Sequence, residues 1–208
     1  MGPDELEEPD GHMERAKEYR DNEDFERAGE HFTATAYEEF GVPRPEQYCQ
    51  HQSRGLYNLL HAAVCYRLAG LDRRCRLRCE RGILTCKEMK ARVMELPTPE
   101  NAYDRTRRGA WDEFIGDFRV IARQDGAESA YEQAQSIYNT AGECQLGVAE
   151  WEHLHLTWFF EHLASGAGVS LDTWYEQRLD LTFSEWVDYK RRHLPEYYDR
   201  LTEAGTWD

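Results

Sequence analysis

Phe25-Glu26-Arg27-Ala28-Gly29-Glu30-His31-Phe32 and Tyr131-Glu132-Gln133-Ala134-Gln135-Ser136-Ile137-Tyr138 share one spacing: an aromatic, Ala three residues later, and an aromatic four after that. At about 3.6 residues per turn these three positions fall on one helix face. A small residue between two rings lets a second helix approach closely while the rings fill the gaps beside it, and packed helical hairpins bury a core in this way. Ala28 and Ala134 are therefore expected in close-packed seams.

Outward from these stretches, apolar residues recur at three and four along nearly the whole chain and period-two alternation is almost absent, which predicts an all-α fold of about 9–10 helices. The expected spans are His12–Asp21, Asn22–Phe40, Ser53–Ala69, Leu71–Glu95, Arg107–Arg123, Gly126–Thr140, Gly142–Ser165, Leu171–Leu179, Ser184–His193 and Pro195–Glu203. Gly41 before Val42 and Pro43 reads as a left-handed cap that ends the second helix, and Ser184 as the cap of the helix holding Trp186. Leu96-Pro97-Thr98-Pro99-Glu100 marks a linker. The expected organisation is a disordered acidic N-terminus (1–11), N-terminal hairpins (12–95), the linker (96–106) and a C-terminal helical half (107–204) packed on the first.

Three segments carry a family resemblance: Tyr19, Phe25, Ala28, Phe32; then Leu59, Ala63, Tyr66, Gly70, Cys75, Cys79, Gly82; then Phe118, Ile121, Ala122, Tyr131, Ala134, Tyr138, Ala141. Together they resemble a degenerate tetratricopeptide repeat, a unit of two antiparallel helices with aromatic and small residues in set places. The resemblance implies stacked antiparallel hairpins, a TPR-like α-solenoid, with a non-repeat helical bundle as the other architecture open to the same pattern. It further implies a concave surface at Lys17, Arg20, Tyr57, Leu60, Val64, Arg67, Arg119 and Arg123, five of them basic. Such a groove suits a carboxylate-bearing peptide or protein partner, with Arg offering paired donors. The Asn that carboxylate-clamp members of the family place there is absent from these positions.

Asp and Glu number 40 against 25 Lys and Arg, for a formal net charge of -15, and Lys occurs only at positions 17, 87, 90 and 190. This balance resembles the surfaces of proteins from halophilic archaea, where concentrated salt screens carboxylate repulsion. It disfavours nucleic acid and anionic membranes as partners, and Arg73, Arg74, Arg76 and Arg78 read as a solvated helix face answering nearby acids. The longest apolar stretch, around Trp158, Phe159 and Phe160, is broken by Glu161 and His162, well short of the ~18 residues of a membrane span. A cytoplasmic protein with reduced cysteines is expected.

Two constellations hold chemistry. His61 and Cys65 lie nine and five residues before Gly70, and Cys75 and Cys79 five and nine after it, so an antiparallel hairpin brings the four toward a zinc-like set; the same cysteines also suit a buried seam. Trp151, His155, Trp158 and His162 line one helix face, as a ligand pocket or as core. No Gly-rich phosphate loop, nucleophile elbow or paired Glu-x-x-His helices occur, and no cofactor is expected. The leading expectation is a protein-binding scaffold module; the alternative is a small-ligand or metal-dependent helical-bundle enzyme.

Overall fold

The computed structural model describes residues 11–42, 48–95, 102–142, 151–172 and 180–207. Among them lie eight helices: α1 (His12–Asp21), α2 (Phe25–Phe40), α3 (Tyr48–Leu68), α4 (Asp72–Glu95), α5 (Ala102–Ala122), α6 (Ala127–Ala141), α7 (Trp151–Gly166) and α8 (Phe183–Ala204). The fold is all-α. Residues 1–10 of the acidic N-terminus, the linker core 96–101, the expected first turns of α7 (143–150) and most of the expected helix after Leu171 lie outside the described residues. No described helix is long and apolar enough to cross a membrane.

Each helix from α1 to α5 packs on the one that follows it, and α3 and α5 also touch directly. α7 lies against α3 and α5, while α8 lies against α5, α6 and α7. One hydrophobic core results, running from Ala16 and Phe25 to Leu201 and Trp207 and shared by the chain on both sides of the linker. Ala28 and Ala134 are both fully buried. In the second stretch the close approach is completed from the opposite side: Gly109 and Gly116 lie under the rings of Tyr138 and Tyr131, where any Cβ would collide.

Several boundaries differ from the sequence expectation. α3 starts at Tyr48 rather than Ser53, because tertiary contacts hold its first turn: His51 bonds Glu39 at 2.6 Å and Gln52 is buried. α5 begins inside the expected linker, since nothing after Pro99 breaks a helix and Thr106 is drawn into the interior. Gly41 takes a right-handed conformation (φ -83°), not the left-handed cap, with its N–H donating to Tyr37 and Glu38 carbonyls. The cap of α8 is Thr182, two residues before Ser184: Thr182 Oγ1 accepts from the Glu185 N–H, and Glu185 Oε2 accepts from the Thr182 N–H at 2.9 Å. α8 also runs straight through Pro195, where two helices are expected. An interior proline costs about 3 kcal/mol, but the buried stripe continues past it through Tyr197, Tyr198 and Leu201, each contributing roughly 1.5–3 kcal/mol.

A buried polar network pins α8 in place. Lys190 Nζ reaches Glu113 Oε1 at 2.9 Å and Asp117 Oδ2 at 2.6 Å, and the ammonium and both carboxylates are fully buried. The remaining acceptors are filled by Tyr138 Oη to Glu113 (2.7 Å), Tyr131 Oη to Asp117 (2.8 Å) and Trp186 Nε1 to Glu113 (2.9 Å). The two aromatics flanking Ala134 thus pack and also donate. Burial, with Glu113 adding and Lys190 opposing, pushes the Asp117 carboxyl up to about 7.

Candidate functional site

α1 carries Met13, Lys17 and Arg20 on one face, at intervals of four and three; α3 carries Arg54 and Tyr57; α7 carries His155, Trp158 and His162. Together with Glu14 these residues line a cleft of about 360 Å³. That volume lies within the roughly 300–1,000 Å³ of small-ligand pockets. Helical spacing on three separate elements therefore converges on one opening.

Aromatic contacts order the cleft walls. The His155 ring lies 5.6 Å from Tyr57 and 5.5 Å from Trp158, the latter edge-on. Ser53 Oγ and His155 Nδ1 are 2.9 Å apart, and Tyr57 Oη and His162 Nδ1 3.0 Å. Behind them His61 stacks on Trp207 with centroids 5.1 Å apart, while Trp207 Nε1 donates to the His162 carbonyl at 3.1 Å.

Burial, reinforced by Arg54, pushes His155 down to about 3. His162 is lowered by burial and then by Arg20 and Lys17; His61 is lowered further, by burial first. The imidazoles are therefore uncharged near neutral pH. Positive charge in the cleft comes from Lys17, Arg20 and Arg54, set against one carboxylate, Glu14. Arg54 shares Glu39 at 3.4 Å and Arg20 bonds Asp21 at 2.8 Å, neither carboxylate lining the cleft, and Lys17 is exposed without an ion pair among the described residues. Such an arrangement can hold an anion against aromatic walls. The Ser53 hydroxyl is not an activated nucleophile, because it is fully buried and donates to the Gln50 carbonyl at 2.9 Å.

The residues expected from the repeat resemblance do not form one groove. Lys17, Arg20 and Tyr57 meet in this cleft. Leu60 and Val64 are fully buried and offer no apolar anchor to a partner. Arg67 is engaged between helices, donating to Tyr198 Oη at 3.1 Å and pairing with Asp72 at 2.6 Å. Arg119 and Arg123 line a separate pocket of about 510 Å³ beside Pro195 and Tyr198, with Arg119 donating to the Gly126 carbonyl at 2.6 Å and Arg123 pairing with Asp199 at 3.1 Å. The physical reason is that α7 and α8 pack against α3 and α5, over the surface that the resemblance leaves open.

The Cys and His hairpin does not assemble either. His61 faces Phe32, Phe159 and Trp207, whereas Cys75 points Sγ toward the Ile121 carbonyl of α5 at 3.8 Å. Among the described residues no three His, Cys, Asp or Glu side chains gather in a metal-binding arrangement. In the Arg run of α4, Arg74 answers Glu26 and Glu30 of α2 at 2.9 and 3.2 Å.

The tryptophan and histidine stripe of α7 is divided. His155, Trp158 and His162 line the cleft, while Trp151 stays exposed beyond it with its ring 6.1 Å from His155. Arg54, Met13 and Ser53 escape sequence reasoning. Arg54 had a signal, three residues before Tyr57 on the same helix face; Ser53 had none, since its partner lies 102 residues away. No protein-family model, no curated protein and no solved structure matches the chain.

Proposed function

We propose that the protein is a binding module that takes a carboxylate-rich segment of a partner protein into the cleft between α1, α3 and α7. One observation carries the reading: a chain of net charge -15 gathers Lys17, Arg20 and Arg54 around Tyr57 and Trp158 at a single opening. In so acidic a molecule, locally positive potential is what a negatively charged partner is steered toward. Guanidinium and ammonium groups supply charge-assisted hydrogen bonds, and the exposed part of Trp158 offers a flat apolar contact that survives high salt. The reading keeps α1–α6 as tetratricopeptide-like hairpins, supported by each of these helices packing on its neighbour in sequence, with α7 completing the cleft.

Calorimetric titration of hexaglutamate, with hexaglutamine as the uncharged control, tests the proposal. Hexaglutamate is expected to bind and hexaglutamine not, and Lys17→Glu with Arg20→Glu is expected to weaken binding at least tenfold while the helical circular dichroism is unchanged. Equal binding of the two peptides, or no loss in the variant, contradicts it.

A further inference from the structure

The chemistry around His155 says more about what the cleft reads. Ser53 Oγ lies 2.9 Å from the Gln50 carbonyl oxygen and 2.9 Å from His155 Nδ1. A hydroxyl has one proton, and a carbonyl oxygen only accepts. Were that proton given to His155, two oxygens with no proton between them would face each other at 2.9 Å. The proton therefore goes to Gln50, and His155 Nδ1–H donates to Ser53. With Nδ1 protonated in the neutral ring, Nε2 bears the lone pair. Nε2 has no hydrogen bond among the described residues, and His155 is part of the cleft wall.

We infer that His155 Nε2 is a fixed hydrogen-bond acceptor in the cleft, so that the ligand is a carboxylate carrying an N–H donor beside it, as in an acidic peptide backbone, rather than an anion alone. This rests on the proposed capture of an acidic segment and specifies what that segment must present. The cleft then holds both halves of a recognition pattern. Lys17, Arg20 and Arg54 can only donate, and they take the carboxylate; Nε2 of His155 can only accept, and it takes the adjacent N–H. Ser53 is a positioning residue, since it touches no ligand and acts by selecting the tautomer. A simple anion such as phosphate or a fatty carboxylate leaves Nε2 unanswered, and a site built around a hydrogen-bond partner discriminates against ligands lacking it.

Two probes of equal charge separate the inference from the reading beneath it: hexaglutamate and its fully N-methylated counterpart, which keeps every carboxylate and has no backbone N–H. Wild-type protein is expected to prefer hexaglutamate by about fivefold to tenfold, the equivalent of one hydrogen bond. In His155→Phe the two peptides are expected to bind equally, at the weaker affinity. Ser53→Ala, which leaves the imidazole in place, is expected to lose part of the preference. Independently, the ring nitrogen shifts of wild-type His155 should show Nδ1 protonated and Nε2 bare. If neither peptide binds wild type, the proposed function itself fails. If both bind equally, or His155→Phe keeps the preference, or Nε2 proves to be the protonated nitrogen, this inference is overturned while acidic capture stands.

Discussion

Lys190 Nζ sits 2.6 Å from Asp117 Oδ2 with both groups sealed from solvent, and this pair fastens α8 to α5. Removing one partner of a buried pair leaves a charge without compensation, whereas replacing all the charged members removes the need for it. Lys190→Met is expected to destabilise by about 3–5 kcal/mol in urea unfolding. Adding Glu113→Gln and Asp117→Asn to the same chain should recover part of that loss. A Lys190→Met protein as stable as wild type contradicts the electrostatic role given to this network.

The aromatic and alanine spacing on α6 makes its own demand. Ala134 is fully buried between Tyr131 and Tyr138, and Gly116 lies under the Tyr131 ring. Ala134→Leu and Gly116→Ala should each overpack the seam and cost about 1–3 kcal/mol, read as a lowered urea midpoint. The Gly116 change also threatens the Tyr131 hydroxyl bond to Asp117, so its cost should fall when tested in Tyr131→Phe.

Acid should unfold the protein through its histidines. His153 and His155 are pushed down to about 3 by burial and nearby cations, and His31, His61 and His162 are lowered in the same sense. An unfolded chain binds these protons near the ordinary histidine value of 6.5 while the folded chain refuses them, so their contribution is full above 6.5 and lost as pH falls toward about 3. Asp117, raised from 3.8 to about 7, and Asp112, also raised, act oppositely: their contribution is full below 3.8 and lost as pH rises toward neutrality. Histidines outnumber them among the described residues, so the thermal midpoint should climb between about pH 4 and 6.5, and His155→Phe should flatten the climb. A midpoint that falls over this interval contradicts the burial assigned to these rings.

The fold class was legible because burial imposes helical periodicity directly on the chain, and Ala28 and Ala134 lie in the core as their spacing requires. Parts of the site were legible for the same reason: the stripe from His155 to His162 and the face of Lys17 and Arg20 are periodic features. Their meeting was not, because it depends on where α7 docks, and the docking that builds the cleft also covers Leu60 and Val64. The buried network left a trace in Glu113 and Asp117, four apart on an apolar face beside Phe114 and Phe118, and in Lys190 within the stripe of Trp186 and Leu194. A charge at such a position looks like noise in a single helix. Only the facing helix shows that it is paired.

Charge repulsion gives a further test. With 40 acidic residues, the folded state should gain thermal stability between dilute buffer and molar KCl, as screening shortens the Debye length to about 3 Å. Circular dichroism melts across a salt series measure this, and equal midpoints contradict the resemblance to halophilic proteins.

The most direct test is where an acidic peptide lands. Titrating hexaglutamate into isotopically labelled protein and following amide and side-chain shifts compares two basic openings within one molecule: the cleft with Lys17, Arg20 and Arg54, and the pocket with Arg119 and Arg123. Guanidiniums are engaged in both, by Gly126 and Asp199 in the second and by Asp21 and Glu39 in the first, but the first also holds Lys17, which has no ion pair among the described residues. The account predicts saturable shifts concentrated at Lys17, Arg20, Tyr57, His155 and Trp158, with Arg119 and Arg123 still. Shifts centred on Arg119 and Arg123, or scattered over the surface without saturation, contradict it.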